Sequence, residues 1–295
     1  VNSRADAARV AAIRNGLDHS DGLAPVFFGE RARLEVAASA GRLLAAVRSA
    51  DIIQAGDQLR QAVDLIDRQD PSRLRPRGLA RLIVGRRRRL AQVRARFEAA
   101  AGALERVALD LDGRSRRLAL QVEHLDRLHA QARGVILELD AYREAGEALA
   151  TRFADPDRAV DAAWDRFPVR LETLDAARRS AVELLSLVRA IQNVDSALGA
   201  ALAGGAAAIR GWNAEWADRL GLGSTVRGRR MRPDPVGLYE SKARTLDRLT
   251  PPIIVVAEAR KRRQSTEREM ETRVKALAAP RVYRQGQVGD GRSGA

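Results

Sequence analysis

The sequence predicts an all-α protein, an elongated antiparallel helical bundle built from long coiled-coil-like helices. Three observations predict it. Its ten prolines leave two long stretches untouched, from Pro76 to Pro156 and from Pro168 to Pro233. A proline inside a helix removes a backbone donor and clashes with the preceding turn, at about 3 kcal/mol. Stretches this long, rich in Leu, Ala, Arg and Glu, therefore read as long helices. Within both, apolar residues recur at alternating spacings of four and three. Hydrophobic residues make up 45% of the chain but aromatics only 4%. Burial then rests on Leu, Ala, Val and Ile, which suits narrow seams between helices better than a thick core. No alternating β-branched pattern marks a sheet.

Taken in order, residues 1–29 form an N-terminal segment, with a short helix ending near Gly16 and a turn at Asp18-His19-Ser20-Asp21-Gly22. The Phe27-Phe28 pair that follows is expected to fold back onto the nearest helix. Residues 30–222 form the helical core. Helices are expected over 30–49 and 52–68, and Asp70-Pro71 stops the second, since the residue before proline avoids the α region. A connector over 71–78 leads through Leu82-Ile83-Val84 into Arg86-Arg87-Arg88-Arg89.

From there a seam runs through Phe97, Ala101, Leu104, Ala108, Leu111, Ser115, Leu118, Val122, Leu125, His129, Ala132, Ile136 and Leu139. This is an a/d heptad pattern. His129 reads as a packing residue on that seam. Asp155-Pro156-Asp157 breaks the pattern, and a piece carrying Trp164 and Phe167 leads to Pro168. A second seam follows: Leu184, Val188, Ile191, Asp195, Leu198, Leu202, Gly205, Ile209, Trp212 and Trp216. Helices over 90–152 and 171–220 should pack antiparallel through these seams, because the connector is short enough to turn the chain back. Gly204-Gly205 would let a neighbour approach closely. Residues 223–252 read as a basic Pro/Gly-rich linker, 253–279 as a last helix and 280–295 as a disordered tail.

The net charge of +14 and pI near 11.2 point to anionic partners, nucleic acid or a membrane surface. The 52 basic residues are nevertheless interspersed with 38 acidic ones along periodic helices, as solvated faces require. Arg86, Arg87, Arg88 and Arg89 cover every face of one turn, so they are the candidate contact with an anionic surface. Neither a signal segment nor a membrane-spanning run is visible; the longest clean aliphatic run is Ile253-Ile254-Val255-Val256-Ala257. The expected location is cytoplasmic, with peripheral contact at the inner face of the membrane open to the basic runs.

Catalytic chemistry finds little support. The chain has no cysteine and three histidines, His19, His124 and His129. It holds no phosphate-cradling glycine loop, no HExxH and no nucleophile elbow. No enzyme, metal site or cofactor is expected. One polar motif remains as a candidate packing or partner site: Ile191, Gln192, Asn193 and Asp195, with Trp212 downstream. A charged seam residue is costly, and Asp195 reads as a residue that fixes register between helices.

Several segments together resemble one family. Val47-Arg48-Ser49-Ala50-Asp51 with Ala55-Gly56-Asp57-Gln58-Leu59, the lead-in Val93-Arg94-Ala95-Arg96-Phe97, and Leu125-Asp126-Arg127-Leu128-His129 occur in its order. So do Leu137-Glu138-Leu139-Asp140-Ala141-Tyr142-Arg143-Glu144-Ala145-Gly146, Ala190-Ile191-Gln192-Asn193-Val194-Asp195, Trp212-Asn213 and Leu220-Gly221-Leu222. The order and spacing resemble the TelA (KlaA) toxic-anion-resistance family over most of residues 46–222. The chain departs from that pattern at its Pro- and Arg-rich residues 226–236 and at Pro251-Pro252.

The resemblance implies a cytoplasmic helical protein linked to tolerance of tellurite and other toxic anions, working beside tellurium-resistance proteins, with no catalytic residues to carry over. Tellurite chemistry runs largely through thiols, and a chain without cysteine is not expected to reduce it. The expected role is thus an indirect one, a non-enzymatic scaffold acting through protein partners or a membrane surface. The alternative is a nucleic-acid-binding protein using Arg86 to Arg89, the basic residues of 227–232 and Arg260 to Arg263 on phosphates. Scarce aromatics and the lack of a helix-turn-helix weigh against it.

Overall fold

The computed structural model describes residues 6–17, 23–48, 53–74, 85–153, 164–222 and 234–279. Its helices are α1 (Ala7–Asn15), α2 (Ala24–Phe27), α3 (Glu30–Arg48), α4 (Ile53–Asp67), α5 (Arg86–Phe153), α6 (Phe167–Arg219) and α7 (Pro235–Ala278). Short 3-10 turns lie at Pro71–Leu74 and Trp164–Arg166, and no strand occurs among the described residues. The protein is an all-α bundle. The expected turn at 18–22, residues 75–78 of the expected connector, the break at 155–157, residues 223–233 of the expected linker and the tail at 280–295 lie outside the described residues.

Two compact units share the chain. Unit one comprises Val1–Gly41, Ala132–Leu184 and Met270–Ala295; unit two comprises Arg42–Gln131 and Leu185–Glu269. Helices α3, α5, α6 and α7 each contribute residues to both.

In unit two the direction of packing can be read from its hydrogen bonds. Arg94 Nε donates to Leu220 O at 2.7 Å, Ser115 Oγ to Gly199 O at 2.9 Å and Gln192 Nε2 to Val122 O at 3.3 Å. Numbers rise on α5 as they fall on α6, so the two helices run antiparallel. Helix α4 runs antiparallel to α5, with Gln58 bonded to Asp110 at 3.0 Å and Gln54 to Arg114 at 2.6 Å. Helix α7 closes the unit antiparallel to α6 and α4, through Ser241 to Glu215 at 2.7 Å and Lys242 to Asp67 at 2.9 Å. Every member of the second expected seam is buried, and those of the first are buried or half-buried. The core joins Leu59, Ile66, Leu104, Leu111, Leu202 and Ile209, among others.

Unit one is built around aromatic rings and arginines. Phe28 packs edge-on against Tyr142 at 5.5 Å and Phe167 at 5.2 Å, and Trp164 sits 5.1 Å from Phe167. The expectation for the phenylalanine pair therefore divides. Phe28 is buried, whereas Phe27 is 62% exposed. Gly29 follows with φ at 67°, a conformation that side chains resist, and it lets the chain turn sharply from α2 into α3.

The linker expected over 223–252 is not what residues 235–252 form, because α7 starts at Pro235 rather than near Ile253. The start has a local cause. Asp234 accepts the Val236 amide at 3.1 Å, and Pro235 occupies the first helical position, where its missing donor costs nothing. Pro251 and Pro252 lie inside the helix. They strip partners from the carbonyls of Asp247 and Arg248, both exposed, so water can replace the lost bonds. A third seam at spacings of three and four, Leu249, Pro252, Val256, Ala259 and Arg263, holds the helix against its neighbours across the interruption.

Close approach is real at Gly205, where an added Cβ would lie 2.9 Å from Leu59 Cδ2 and 3.9 Å from Pro252 Cβ; at Gly204 it would meet nothing within 4 Å. Gly146 is tighter, since an added Cβ would overlap Leu171 Cδ2 and lie 3.0 Å from Phe28 Cε1. Gly204→Ala should accordingly raise stability by about 1 kcal/mol, the helix-propensity gain. Gly146→Ala should lower it, because about 1–3 kcal/mol of overpacking outweighs the same gain. Urea melts of the two variants check the opposite signs.

Candidate functional site

The polar motif on α6 belongs to unit two, and the structure separates its members. Ile191 is buried in the seam, while Asn193 is exposed. Gln192 is buried; its Nε2 donates to Asp126 Oδ1 at 3.1 Å, and its Oε1 accepts from Arg189 Nη1 at 2.9 Å. Hydrogen bonds from Arg189 and Gln192 hold the Asp126 carboxyl below its ordinary range. Trp212 lies on the same helix but about 25 Å along it from Asp195, at 1.5 Å per residue. It belongs to an aromatic knot with Trp216 at 4.7 Å and Phe97 at 5.5 Å. The motif and the tryptophan are therefore distinct places, both built into the packing.

Asp195 is fully buried, and its partner comes from α7. Arg263 Nη1 lies 2.5 Å from both carboxylate oxygens, Nε donates to Glu267 at 3.2 Å, and Nη2 donates to the carbonyl of Val47 at the end of α3. One guanidinium thus ties α6, α7 and α3 together. Burial pushes the Asp195 carboxyl up, while the charge and hydrogen bonds of Arg263 pull it back. The upward direction means that ionising Asp195 inside the fold carries a cost, as for many buried pairs. Nothing in the sequence singled out Arg263, which sits in a run of basic residues; its place on the third seam is the signal that could have found it.

Of the basic residues before the first seam, Arg87 and Arg88 are exposed and Arg89 is half-buried on the first turns of α5. The side chain of Arg86 lies outside the described residues. No acidic residue occupies that first turn, so these cations face the positive end of the helix dipole. Among the described residues, no group of three or more His, Asp or Glu side chains could hold a metal ion.

Unit one contains a charge cluster that the sequence reading missed. Glu30, in the first turn of α3, receives Arg33 Nη2 at 2.7 Å and Arg170 Nη2 at 2.7 Å. Arg170 Nε also donates to the Phe28 carbonyl at 2.7 Å, and Arg33 Nη1 donates to the Leu277 carbonyl at 2.9 Å. The hydrogen bond from Arg33, reinforced by Arg170, holds the Glu30 carboxyl down to about 2 against the opposing effect of burial. The cluster borders a cavity of about 480 Å³ lined by Val26, Phe27, Val169, Ala176 and Leu277.

Two variants test these networks. Asp195→Leu removes the fully buried one of Arg263's two carboxylate partners, leaving only the half-buried Glu267 beside it, and should cost up to about 3–5 kcal/mol. The double change Asp195→Leu with Arg263→Met should recover more than half of that loss in denaturant melts; independent, additive losses would refute the coupling. Glu30 has a folded pKa below its unfolded one, so its stabilisation is present above 4.5 and lost as pH falls toward about 2. Glu30→Gln should be less stable at pH 7 and show a shallower loss across that acid window, read from thermal melts at stepped pH.

A search of curated proteins and of solved structures returns no match. The family model described as toxic anion resistance protein (TelA) matches residues 10–201. That span takes in α3, α4, the whole of α5 and the part of α6 that carries Gln192 and Asp195. With well over half of its length matched, this chain belongs to the TelA family of toxic anion resistance proteins.

Proposed function

We propose that this chain acts in toxic-anion resistance as a non-enzymatic helical scaffold, through association with partner proteins and with an anionic membrane surface. The observation that carries this reading is the sorting of its charge. Arg263 and Arg170 are buried on internal partners, whereas Arg87 and Arg88 stand exposed at the N-terminal end of a 68-residue helix. The helix dipole there has the same sign as the side chains, so neutralisation must come from outside the helix's own first turn. Arginines near an anionic leaflet contribute about 1 kcal/mol each, enough in a cluster for reversible recruitment. Among the described residues no helix is long and apolar enough to cross a membrane, which is compatible with contact from one side. Tellurium-resistance proteins are the partner class that fits the family.

The test compares the parent with a variant carrying Gln at Arg86, Arg87, Arg88 and Arg89. The parent should co-sediment with anionic vesicles at physiological salt, and the variant should pellet several-fold less. Neither should pellet with neutral vesicles. Equal pelleting of both proteins, or preference of the parent for duplex DNA over anionic vesicles, would overturn the membrane reading. In parallel, the purified parent should reduce tellurite with NADH, NADPH or a dithiol no faster than a protein-free control. Turnover above that control would overturn the non-enzymatic reading.

A further inference from the structure

The cavity of unit one has an unusual balance of chemistry. Its wall is mostly apolar: Val26 and Phe27 from α2, Val169 and Ala176 from α6, and Leu277 from α7. Its charged groups are two guanidiniums, Arg33 and Arg170, against the single carboxylate of Glu30. Three charges therefore leave one uncompensated positive charge beside an apolar cleft. Arg170 is nine-tenths buried, and its Nε and Nη2 are engaged by Phe28 O and Glu30. Nη1 has no acceptor among the described residues. Nη1 is not among the side-chain atoms sealed from water without a partner, so it is the donor that an incoming anion can reach.

We infer that this cavity binds a monoanionic amphiphile, with a carboxylate head on Arg170 and Arg33 and a short hydrocarbon tail along Val26, Phe27, Val169 and Leu277. One negative charge matches the one positive charge in excess; a dianion would invert the balance. A carboxylate also fits the planar geometry of a guanidinium edge. The tail follows from the wall, because about 480 Å³ of cleft lies within the size range of small-molecule sites and is lined chiefly by apolar side chains. Phe27, Val26 and Val169 are 62%, 41% and 46% exposed, so burying them against a tail removes apolar surface from water. This inference is independent of the surface contact assigned to Arg87 and Arg88, which lie in unit two.

The experiment uses the full chain and calorimetric titration with decanoate, beside decanol as the neutral counterpart and decyltrimethylammonium as the cationic one. Decanoate should bind saturably at one site per chain, and at least ten-fold more tightly than either counterpart. Ala176→Phe, which places bulk in the cleft, and Phe27→Asp, which puts a like charge at its mouth, should each weaken decanoate binding at least ten-fold. Both should keep the parent's helical circular dichroism, since Ala176 is half-buried and Phe27 is exposed. Arg170→Gln should abolish the preference for decanoate over decanol; if it fails to fold, the other two variants decide. No saturable binding, equal affinity for decanol, or unchanged affinity in Ala176→Phe and Phe27→Asp would each overturn the assignment. Because the vesicle assay depends on Arg86 to Arg89 and this titration on Arg170 and Phe27, the two ideas fail separately.

Discussion

The constraint on which the structure depends is the narrowness of its apolar seams. A chain with 4% aromatic residues cannot bury much around a central core, so each helix must bury one stripe against its neighbours. A fully buried Leu or Ile contributes about 1.5–3 kcal/mol. An exposed ion pair contributes about 0–1 kcal/mol. The many surface pairs, such as Arg31 with Glu35 and Arg262 with Glu258, are therefore minor beside Leu104, Leu111, Leu198 and Leu202. The lengths of α5, α6 and α7 follow from the same need, because a long stripe is how a Leu/Ala seam accumulates enough burial.

A seam made only of Leu and Ala has a weakness, since it can slide by a heptad and remain apolar. Asp195 and Arg263 answer that weakness in unit two. A slip of seven residues displaces one helix by about 10 Å, which would leave Asp195 buried without a partner and Arg263 with only Glu267 of its own helix. Breaking such a pair costs several kcal/mol, whereas forming it in the correct register gains little. The pair thus acts against wrong registers more than for the right one. Gln192 with Asp126, and Ser115 on the Gly199 carbonyl, give the α5–α6 contact the same kind of address. The Val47 carbonyl extends it to α3, at the last turn before that helix ends.

How much of this could be read beforehand depends on where local chemistry and packing agree. The seams of α5 and α6 were legible because no proline interrupts them and their spacing holds from Phe97 to Leu139 and from Leu184 to Trp216. The start of α7 was misread because Pro251-Pro252 looks like a stop, although Asp234-Pro235 is itself a helix-start signal. Tertiary contacts at Leu249 and Val256 carry the helix through two missing donors, and local propensity does not report such contacts. The sequence marked Asp195 as anomalous but could not name Arg263, which is 68 residues away and hidden among Arg260, Lys261 and Arg262. The cluster of Glu30, Arg33 and Arg170 was invisible for a related reason. Each looks like an ordinary helix-surface charge until α3 and α6 are packed together.

The same sorting changes what the net charge of +14 means. Read as a total, it suggests a surface made for polyanions. The described arginines instead fall into groups with different physical roles. Arg263 and Arg170 are structural groups whose charges are spent on internal carboxylates and carbonyls. Arg143, Arg179 and Arg219 sit one turn from a carboxylate and are largely balanced locally. A cation that is exposed and set against the helix dipole, as at Arg87 and Arg88, is not balanced within its own helix and retains a field that a distant anion would feel. The run at Arg260 to Arg263 illustrates the point, since its last member turns inward and cannot reach a phosphate while Asp195 holds it. Affinity for an anionic surface is therefore expected to follow the few arginines at the start of α5 rather than the charge of the chain as a whole.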